Sequence, residues 1–163
     1  MSLFKVYVDG SLFYHPNLSK LAITEAQIQE DAESLKLSAP FNHPYLTSIK
    51  PMASLIVCKK GNDVVFEGRA LDDGSDFYNT HSWTCESCLA YLKDTIQPPF
   101  SYKGTLKGLL EYFISTHNKN VEEQKRFILG NVTVKDDNDY ISYSNSEYSC
   151  TMDAIKNKLI NTH

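Results

Sequence analysis

The chain has 163 residues, of which 42% are hydrophobic and 22% are charged, and its net charge is −4. A chain of this size and composition is long enough to bury a core. Its acidic balance argues against nucleic-acid binding, because phosphates need clustered basic residues and the longest basic cluster is Lys59-Lys60. No apolar stretch approaches the roughly 20 residues of a membrane-spanning helix, and no secretory signal pattern begins the chain. We therefore expect a protein made in the cytoplasm, without a nucleic-acid partner or a membrane anchor.

The first half of the chain alternates between short apolar runs and turn residues, as β-strands do. Asp9-Gly10 predicts a hairpin turn, and Gly61-Asn62-Asp63 predicts another. The stretch 21–38 has some helical spacing at Ile28, Ala32 and Leu35, but its end alternates up to Pro40, so we favour two strands there. Further strands are predicted at 4–8, 12–14, 54–59, 64–70 and 76–84, with a short helical piece at 45–49. Closely spaced strands joined by local turns favour a small antiparallel barrel or sandwich.

Helical periodicity replaces alternation from about Cys85 onward. Leu89, Leu92 and Ile96 share one helical face, which predicts a helix that ends before Pro98-Pro99. A stronger helix follows Thr105, a plausible N-cap, with inward residues at Leu106, Leu109, Leu110, Phe113 and Ile114. A strand is expected at 127–134 and a last helix at 149–160, with Met152, Ile155, Leu159 and Ile160 inward.

These elements predict an α+β protein with two domains. Residues 1–97 form an antiparallel β-barrel-like domain, and residues 98–163 form a small α+β domain. Because the chain stops directly after its last helix, the second domain has few strands for a sheet. We expect this domain to be truncated at its C-terminal end.

Cys85-x-x-Cys88 is the one cysteine pair whose spacing allows chemistry. Among the four cysteines, Cys58 and Cys150 are distant in sequence, and only His81 lies close enough to be a further metal ligand. A redox site would place the pair at a helix N-terminus within a βαβ pattern, and that pattern does not precede it. Inert reduced thiols are the favoured interpretation, and a metal site or a redox site remain as alternatives.

The other polar groups supply no catalytic set. The acidic turns lack the spacing of a calcium loop, so we interpret them as solvated carboxylates; they contain Asp72, Asp73 and Asp76, and Asp136, Asp137 and Asp139. The histidines and paired glutamates also lack a substrate site between them; these are His15, His43, His117, Glu30 with Glu33, and Glu122 with Glu123. We predict no catalytic, cofactor-binding or metal-binding residue, no cofactor, and no enzymatic activity in this segment.

Aromatic residues are abundant, with ten tyrosines and eight phenylalanines. Tyrosine suits protein interfaces, because it offers a large contact area with a hydrogen-bonding tip. The run Tyr140 to Tyr148 is either an exposed contact loop or a capping turn whose rings pack on the last helix.

Three stretches of the chain contain ordered motifs: the opening VYVDGSLFYHPNL, the middle segment VVFEGRALDDGSDFYNTHSWTCESCLAYLKDTIQPPFSYKGTLKGLLEYFISTHN, and the later segment FILGNVTVKDDNDYISYSNSEYSCTMDAIKNKLI. Together they resemble the prophage endopeptidase-tail family, the tail-tip proteins of phages that infect Gram-positive bacteria. The family pattern includes a "C-E-G-x-L-A" helix entry, a "Q-P-P/R-Y" breaker, a helix that ends in "H-N", and a "Y-I-x-x-S-N" strand and turn. The similarity covers essentially the whole chain, although no family role carries over to Cys88.

This resemblance implies a baseplate-hub-like fold, in which a β-barrel domain precedes a small α+β domain. It also implies a structural protein of the virion, located at the phage tail tip. Three copies would form a homotrimeric ring that closes the tail tube and links the distal tail protein to other tail-tip or host-binding proteins. Some relatives carry a peptidoglycan-cleaving domain downstream, so the alternative function is part of a tail-associated peptidoglycan hydrolase whose catalytic domain follows this chain.

Overall fold

The computed structural model describes residues 4–13, 22–28, 33–76, 80–133 and 140–160, and of 22–28 and 33 it describes the backbone alone. The chain forms two compact units, Met1–Ala90 and Tyr91–His163. The predicted boundary at residue 97 falls inside the second unit, because Ile96–Gln97 pairs with Ser149–Cys150 far along the chain. Within the described ranges, no helix has the length and apolar character that a membrane crossing requires.

The first unit is a single antiparallel sheet that curls into a half-barrel. Its strands are β1 (Phe4–Val8), β2 (Ser11–Leu12), β3 (Ala22–Ile28), β4 (Glu33–Pro40), β5 (Leu55–Lys60), β6 (Asp63–Ala70), β7 (Gly74–Ser75) and β8 (Thr80–Ser87). They lie in the order β2-β1-β5-β6-β8-β4-β3, with β7 paired to β8. A short 3-10 turn at Leu46–Ser48 also belongs to this unit, and another, Cys88–Lys93, contains the boundary between the two units.

The core of the first unit follows from the period-2 alternation of its strands. Trp83 and Cys85 point inward from β8, and Leu35 and Leu37 point inward from the neighbouring β4. Phe13, which follows β2, meets Trp83 edge to face with ring centroids 6.0 Å apart. Because both side chains are large, aromatic and buried, their contact removes a large apolar area from water.

The second unit combines two-stranded sheets with one long helix. Its elements are β9 (Ile96–Gln97), β10 (Phe100–Gly104), α1 (Leu106–Lys119), a 3-10 turn (Glu123–Lys125), β11 (Ile141–Asn145), β12 (Ser149–Cys150), and α2 (Thr151–Ile155), which continues as a π-helical turn (Lys156–Ile160). Strand β10 pairs with β11, and β9 pairs with β12. Thr105 caps α1 by accepting a hydrogen bond from Gly108 N at 3.1 Å, as a good N-cap residue does.

Two apolar clusters fill the second unit. Phe100, Leu109 and Phe113 form the first with Ala154, and the rings of Phe100 and Phe113 meet edge to face at 5.3 Å. Leu92, Ile114 and Met152 form the second. Helix α1 therefore buries one stripe against both clusters, which is the amphipathic pattern expected from its sequence.

The fold confirms the predicted α+β class and most of the predicted strands. The first hairpin, the pair β3 and β4, the hairpin β5 and β6, the helical turn near 46–48 and the capped helix α1 all lie where the sequence places them. The run Tyr140 to Tyr148 is in part a strand, β11, from which Tyr143 packs on the first cluster. Tyr140 and Tyr148 are exposed, so neither interpretation of this run describes it alone.

Three predictions about secondary structure and burial are wrong. The helix expected to carry Leu89, Leu92 and Ile96 is absent, because β8 continues to Ser87 through its pairing with β4 and β6 and only a 3-10 turn follows. The strand expected at 127–134 does not form through Thr133, the last residue described there, since no neighbouring strand pairs with it. Ile160, predicted inward, is exposed at the end of a π-helical turn that rotates it off the helical face.

Gly68 sits where strands β6 and β8 approach each other most closely. A Cβ added there would fall against the carbonyl oxygen of Glu86, which is backbone and cannot swing away. We expect Gly68→Ala to lower the free energy of unfolding by about 1–3 kcal/mol, as other overpacking substitutions do. Urea denaturation followed by circular dichroism measures this change. Gly130→Ala is the matched control, because nothing lies within 4 Å of the added Cβ; equal stability of the two variants would contradict the close approach.

Candidate functional site

The cysteine pair predicted from its spacing does not come together as a site. Cys85 faces the core from β8. Cys88 begins the 3-10 turn after the strand, three positions further on, and so does not share the inward face of β8. All four cysteines are free thiols. Burial, aided by the charge of Asp72, raises the pKa of the Cys85 thiol to about 12, and burial also raises the pKa of Cys58. A reactive thiolate needs a lowered pKa and access to solvent, so Cys85 is suited to packing and not to redox chemistry.

The first acidic turn, Asp72–Asp76, is held by hydrogen bonds to residues of strand β8. Asp72 accepts from Thr84 N at 3.2 Å, Asp76 accepts from Thr80 N at 2.8 Å, and Asp73 lies 3.0 Å from His81 Nδ1. No group of three or more His, Cys, Asp or Glu side chains that could hold a metal ion occurs among the described residues. The second acidic turn, with Asp136, Asp137 and Asp139, lies outside the described residues, as do Glu30 and His15.

The remaining histidines serve the fold. His43 is buried, and its ring stacks on Phe13 with centroids 4.4 Å apart. His117, which sequence reasoning placed only as a cation near a helix end, is fully buried. Of the paired glutamates, Glu122 lies 3.8 Å from Lys125 in an exposed ion pair, and the Glu123 carbonyl accepts a hydrogen bond from Arg126 N.

His117 is the centre of a buried hydrogen-bond network in the second unit. The carbonyl of Lys125 can only accept, so Nε2 of His117 donates to it, at 3.0 Å. In the neutral ring Nδ1 then accepts from the Thr95 hydroxyl, at 2.7 Å. The Thr95 and Thr151 hydroxyls lie 2.8 Å apart, and Gln97 donates to Thr151 at 2.8 Å and to the carbonyl of Phe113 at 3.0 Å. We call this set, Thr95, Gln97, His117 and Thr151, the buried polar network.

Asn118, the residue after His117, fixes the chain that follows the helix. Its Nδ2 donates to the Phe127 carbonyl at 2.8 Å, and its Oδ1 accepts from Phe127 N at 2.9 Å. One side chain thus serves both main-chain groups of Phe127, as a neighbouring strand would. This contact fixes the backbone of Phe127 near the end of α1 without a partner strand.

The segment held by Asn118 forms one wall of an open groove along α1. The groove has a volume of about 510 Å³. Its lining includes Glu111, Ile114, Asn118, Lys119, Arg126 and Leu129, and we call it the α1 groove. Lys119 and Arg126 are exposed cations of the groove. Its carboxylate, Glu111, lies 3.8 Å from Lys107, which offsets its charge, so the lining is basic on balance. Beside it, the side chain of Ile128 is 98% exposed.

A second cavity, of about 400 Å³, lies at the first hairpin. Its lining includes Val8, Asp9, Leu12 and Tyr45. The Asp9 carboxylate is occupied within the fold, because it accepts from Leu55 N at 2.8 Å and from the Ser54 hydroxyl at 2.9 Å. Both carboxylate oxygens of Asp9 are therefore used inside the fold. The α1 groove is the stronger candidate for a binding surface.

Comparison with known proteins gives structural similarity at low sequence identity. No family model matches the chain, and no curated protein matches it. The crystal structure of the tail protein from Neisseria meningitidis MC58 is 14% identical, covers 69% of this chain and 33% of its own, and has a TM-score of 0.48. The prophage MuSo2 43 kDa tail protein from Shewanella oneidensis is 16% identical, covers 72% of this chain and 38% of its own, and has a TM-score of 0.41. The chain thus spans about a third of the length of the first protein and less than two fifths of the second.

The burial of Cys85 predicts a stability change at alkaline pH. The pKa of this thiol is about 12 in the folded protein, whereas an unfolded cysteine ionises near ~8.5. A raised folded pKa leaves stability unchanged below the unfolded pKa and lowers it as pH rises toward the folded value. We expect the stability of the wild type to fall more steeply between about pH 9 and 12 than that of Cys85→Ala, measured by urea denaturation at each pH. Parallel curves would show that Cys85 ionises equally easily in both states.

The two hydrogen bonds of Asn118 predict a local loss of order. Asn118→Ala leaves the main-chain groups of Phe127 without this partner, and we expect a loss of about 1–2 kcal/mol in stability. Amide hydrogen exchange should accelerate at 126–129 while the middle of α1 keeps its protection. Asn120→Ala is the control, since its side chain makes one exposed hydrogen bond to the Thr116 carbonyl. Unchanged exchange at 126–129 in Asn118→Ala would contradict the role given to this side chain.

Proposed function

We propose that the chain is a structural component of a bacteriophage tail tip, of the baseplate-hub type. In this role it closes the tail tube as part of a homotrimeric ring and links the distal tail protein to host-binding parts. It acts by geometry and carries no catalysis of its own. The observation that carries the proposal is that the residues of the tail-tip sequence motifs are used, in order, to build the two units.

The order of the elements supports this proposal. The motif VYVDGSLF corresponds to the hairpin of β1 and β2, and the β-rich unit precedes the smaller α+β unit, as the resemblance implies. The breaker Gln97-Pro98-Pro99 separates β9 from β10. The helix with the "H-N" ending is α1, whose last turns contain His117 and Asn118. The "Y-I-x-x-S-N" motif is the start and body of β11.

The roles of individual motif residues also support it. Gln97 and His117 are fully buried members of the polar network, and Asn118 fixes the backbone of Phe127. These side chains bond to groups of the fold itself, and Asn118 also lines the α1 groove. A motif whose polar residues are used inside the fold is typical of an architectural protein, whereas catalytic polar residues point into an accessible cleft.

A ring of three copies requires two different contact faces on each copy, because its contacts are heterologous. The chain offers contrasting surfaces that suit such contacts. The α1 groove is basic at its rim, and the exposed turn at Asp72 and Asp73 is acidic. Each of these surfaces lies on a different unit.

Immunogold electron microscopy of intact phage particles from the source bacterium tests the proposal. Antibodies raised against this chain should place gold at the distal end of the tail. Antibody absorbed beforehand with the purified chain is the control and should leave the particles unlabelled. Tails without gold at the tip, together with abundant antigen in the bacterial cytosol, would refute the tail-tip role.

A further inference from the structure

We propose that the α1 groove is a docking surface for a second copy of this chain, which inserts the acidic turn Asp72–Asp76 of its first unit. This inference rests on the proposed function, since it names the contact by which the copies associate. The contact is head to tail: one copy offers the groove of its second unit, and the next offers the turn of its first unit. Such a contact leaves the turn of one copy and the groove of the other available for further copies.

The groove has the chemistry of a protein-binding surface and not of a small-molecule site. It is open, and its lining includes the apolar residues Ile114 and Leu129 and the exposed cations Lys119 and Arg126. Ile128, which precedes Leu129 in the chain, is almost fully exposed. A single exposed apolar residue is ordinary, but here the segment that bears it is held in place by Asn118. Because Asn118 fixes the backbone of the preceding residue, Phe127, covering Ile128 costs less backbone entropy than covering a residue of an unfixed segment.

Charge complementarity selects the acidic turn as the occupant. The cations at the groove are complementary to carboxylates, and the chain as a whole is acidic, with a net charge of −4. Asp72, Asp73 and Asp76 are concentrated in one exposed turn on the sheet of the first unit. One oxygen of each is already engaged with Thr84 N, His81 or Thr80 N, so the turn is held in a fixed shape before it meets a partner. Preorganised opposite charges guide association and fix its register.

The test measures self-association of the purified chain by sedimentation velocity over a range of protein and salt concentrations. The wild type should associate, and added NaCl should weaken the association because the contact includes exposed ion pairs. The groove variant Lys119→Gln/Arg126→Gln and the turn variant Asp72→Asn/Asp73→Asn/Asp76→Asn should each associate about tenfold more weakly. The asparagines keep the Oδ1 acceptors of the turn, so thermal unfolding should show intact folds.

Mixing the two variants separates a head-to-tail contact from any other. The turn variant keeps its groove and the groove variant keeps its turn, so the mixture should form a one-to-one complex that neither variant forms alone. Ile128→Ser should weaken association, and Val64→Ser, which changes another exposed apolar residue on β6, should leave it unchanged. A wild type that stays monomeric, or groove and turn variants that associate as the wild type does, would refute the inference.

The outcomes for the contact and for the function are independent. Gold at the tail tip with a monomeric chain, or with association that ignores these substitutions, would refute this contact and leave the tail-tip role standing. Variant-sensitive association without gold at the tail tip would support the contact and refute the tail-tip role.

Discussion

The buried polar network is the interaction on which the second unit depends. This unit has few strands, and its apolar clusters are small, so hydrophobic burial alone gives it little margin. Thr95 and Gln97 from the β9 region, His117 from α1 and Thr151 from α2 converge in its interior and exchange hydrogen bonds. Because an unsatisfied buried polar group costs more than a satisfied one gains, these residues must all be in place together. The network therefore specifies one arrangement of the two helices and β9.

The network also shapes the surface of the unit. His117 donates to the carbonyl of Lys125, and its neighbour Asn118 bonds both main-chain groups of Phe127. Two consecutive side chains at the end of α1 thus determine where the following segment lies. That segment in turn provides one wall of the α1 groove and holds Ile128 in water. The position of the interior network is in this way passed to the outer surface through hydrogen bonds to the backbone, together with the packing of Phe127 on His117 and on the second apolar cluster.

The sequence predicts those parts of this structure whose signals are local. Helix α1 is recognisable because its N-cap Thr105 and its buried stripe both lie within one segment, and the hairpins are recognisable from their turns. Leu89, Leu92 and Ile96 are misassigned to a common helix because spacing of three and four residues also occurs by chance where a strand passes into a 3-10 turn. The pairing of Cys85 with Leu35 decides the outcome, and it joins residues far apart in the chain. Two-residue strands such as β9 and β12 leave no periodic signal at all.

The segment after Phe127 shows why the course of a surface segment is harder to predict than that of a paired strand. Its alternation indicates a strand, and a strand needs a neighbour to bond its main chain. Here a side chain, Asn118, takes that place at one residue only, and the bonding stops there. No residue pattern distinguishes an asparagine that bonds a distant backbone from one that is solvated. Because the Asn118 side chain takes the place of a partner strand, the segment is held in position but is not covered. The proposed contact between copies would cover its exposed apolar residue beside the cations of the groove.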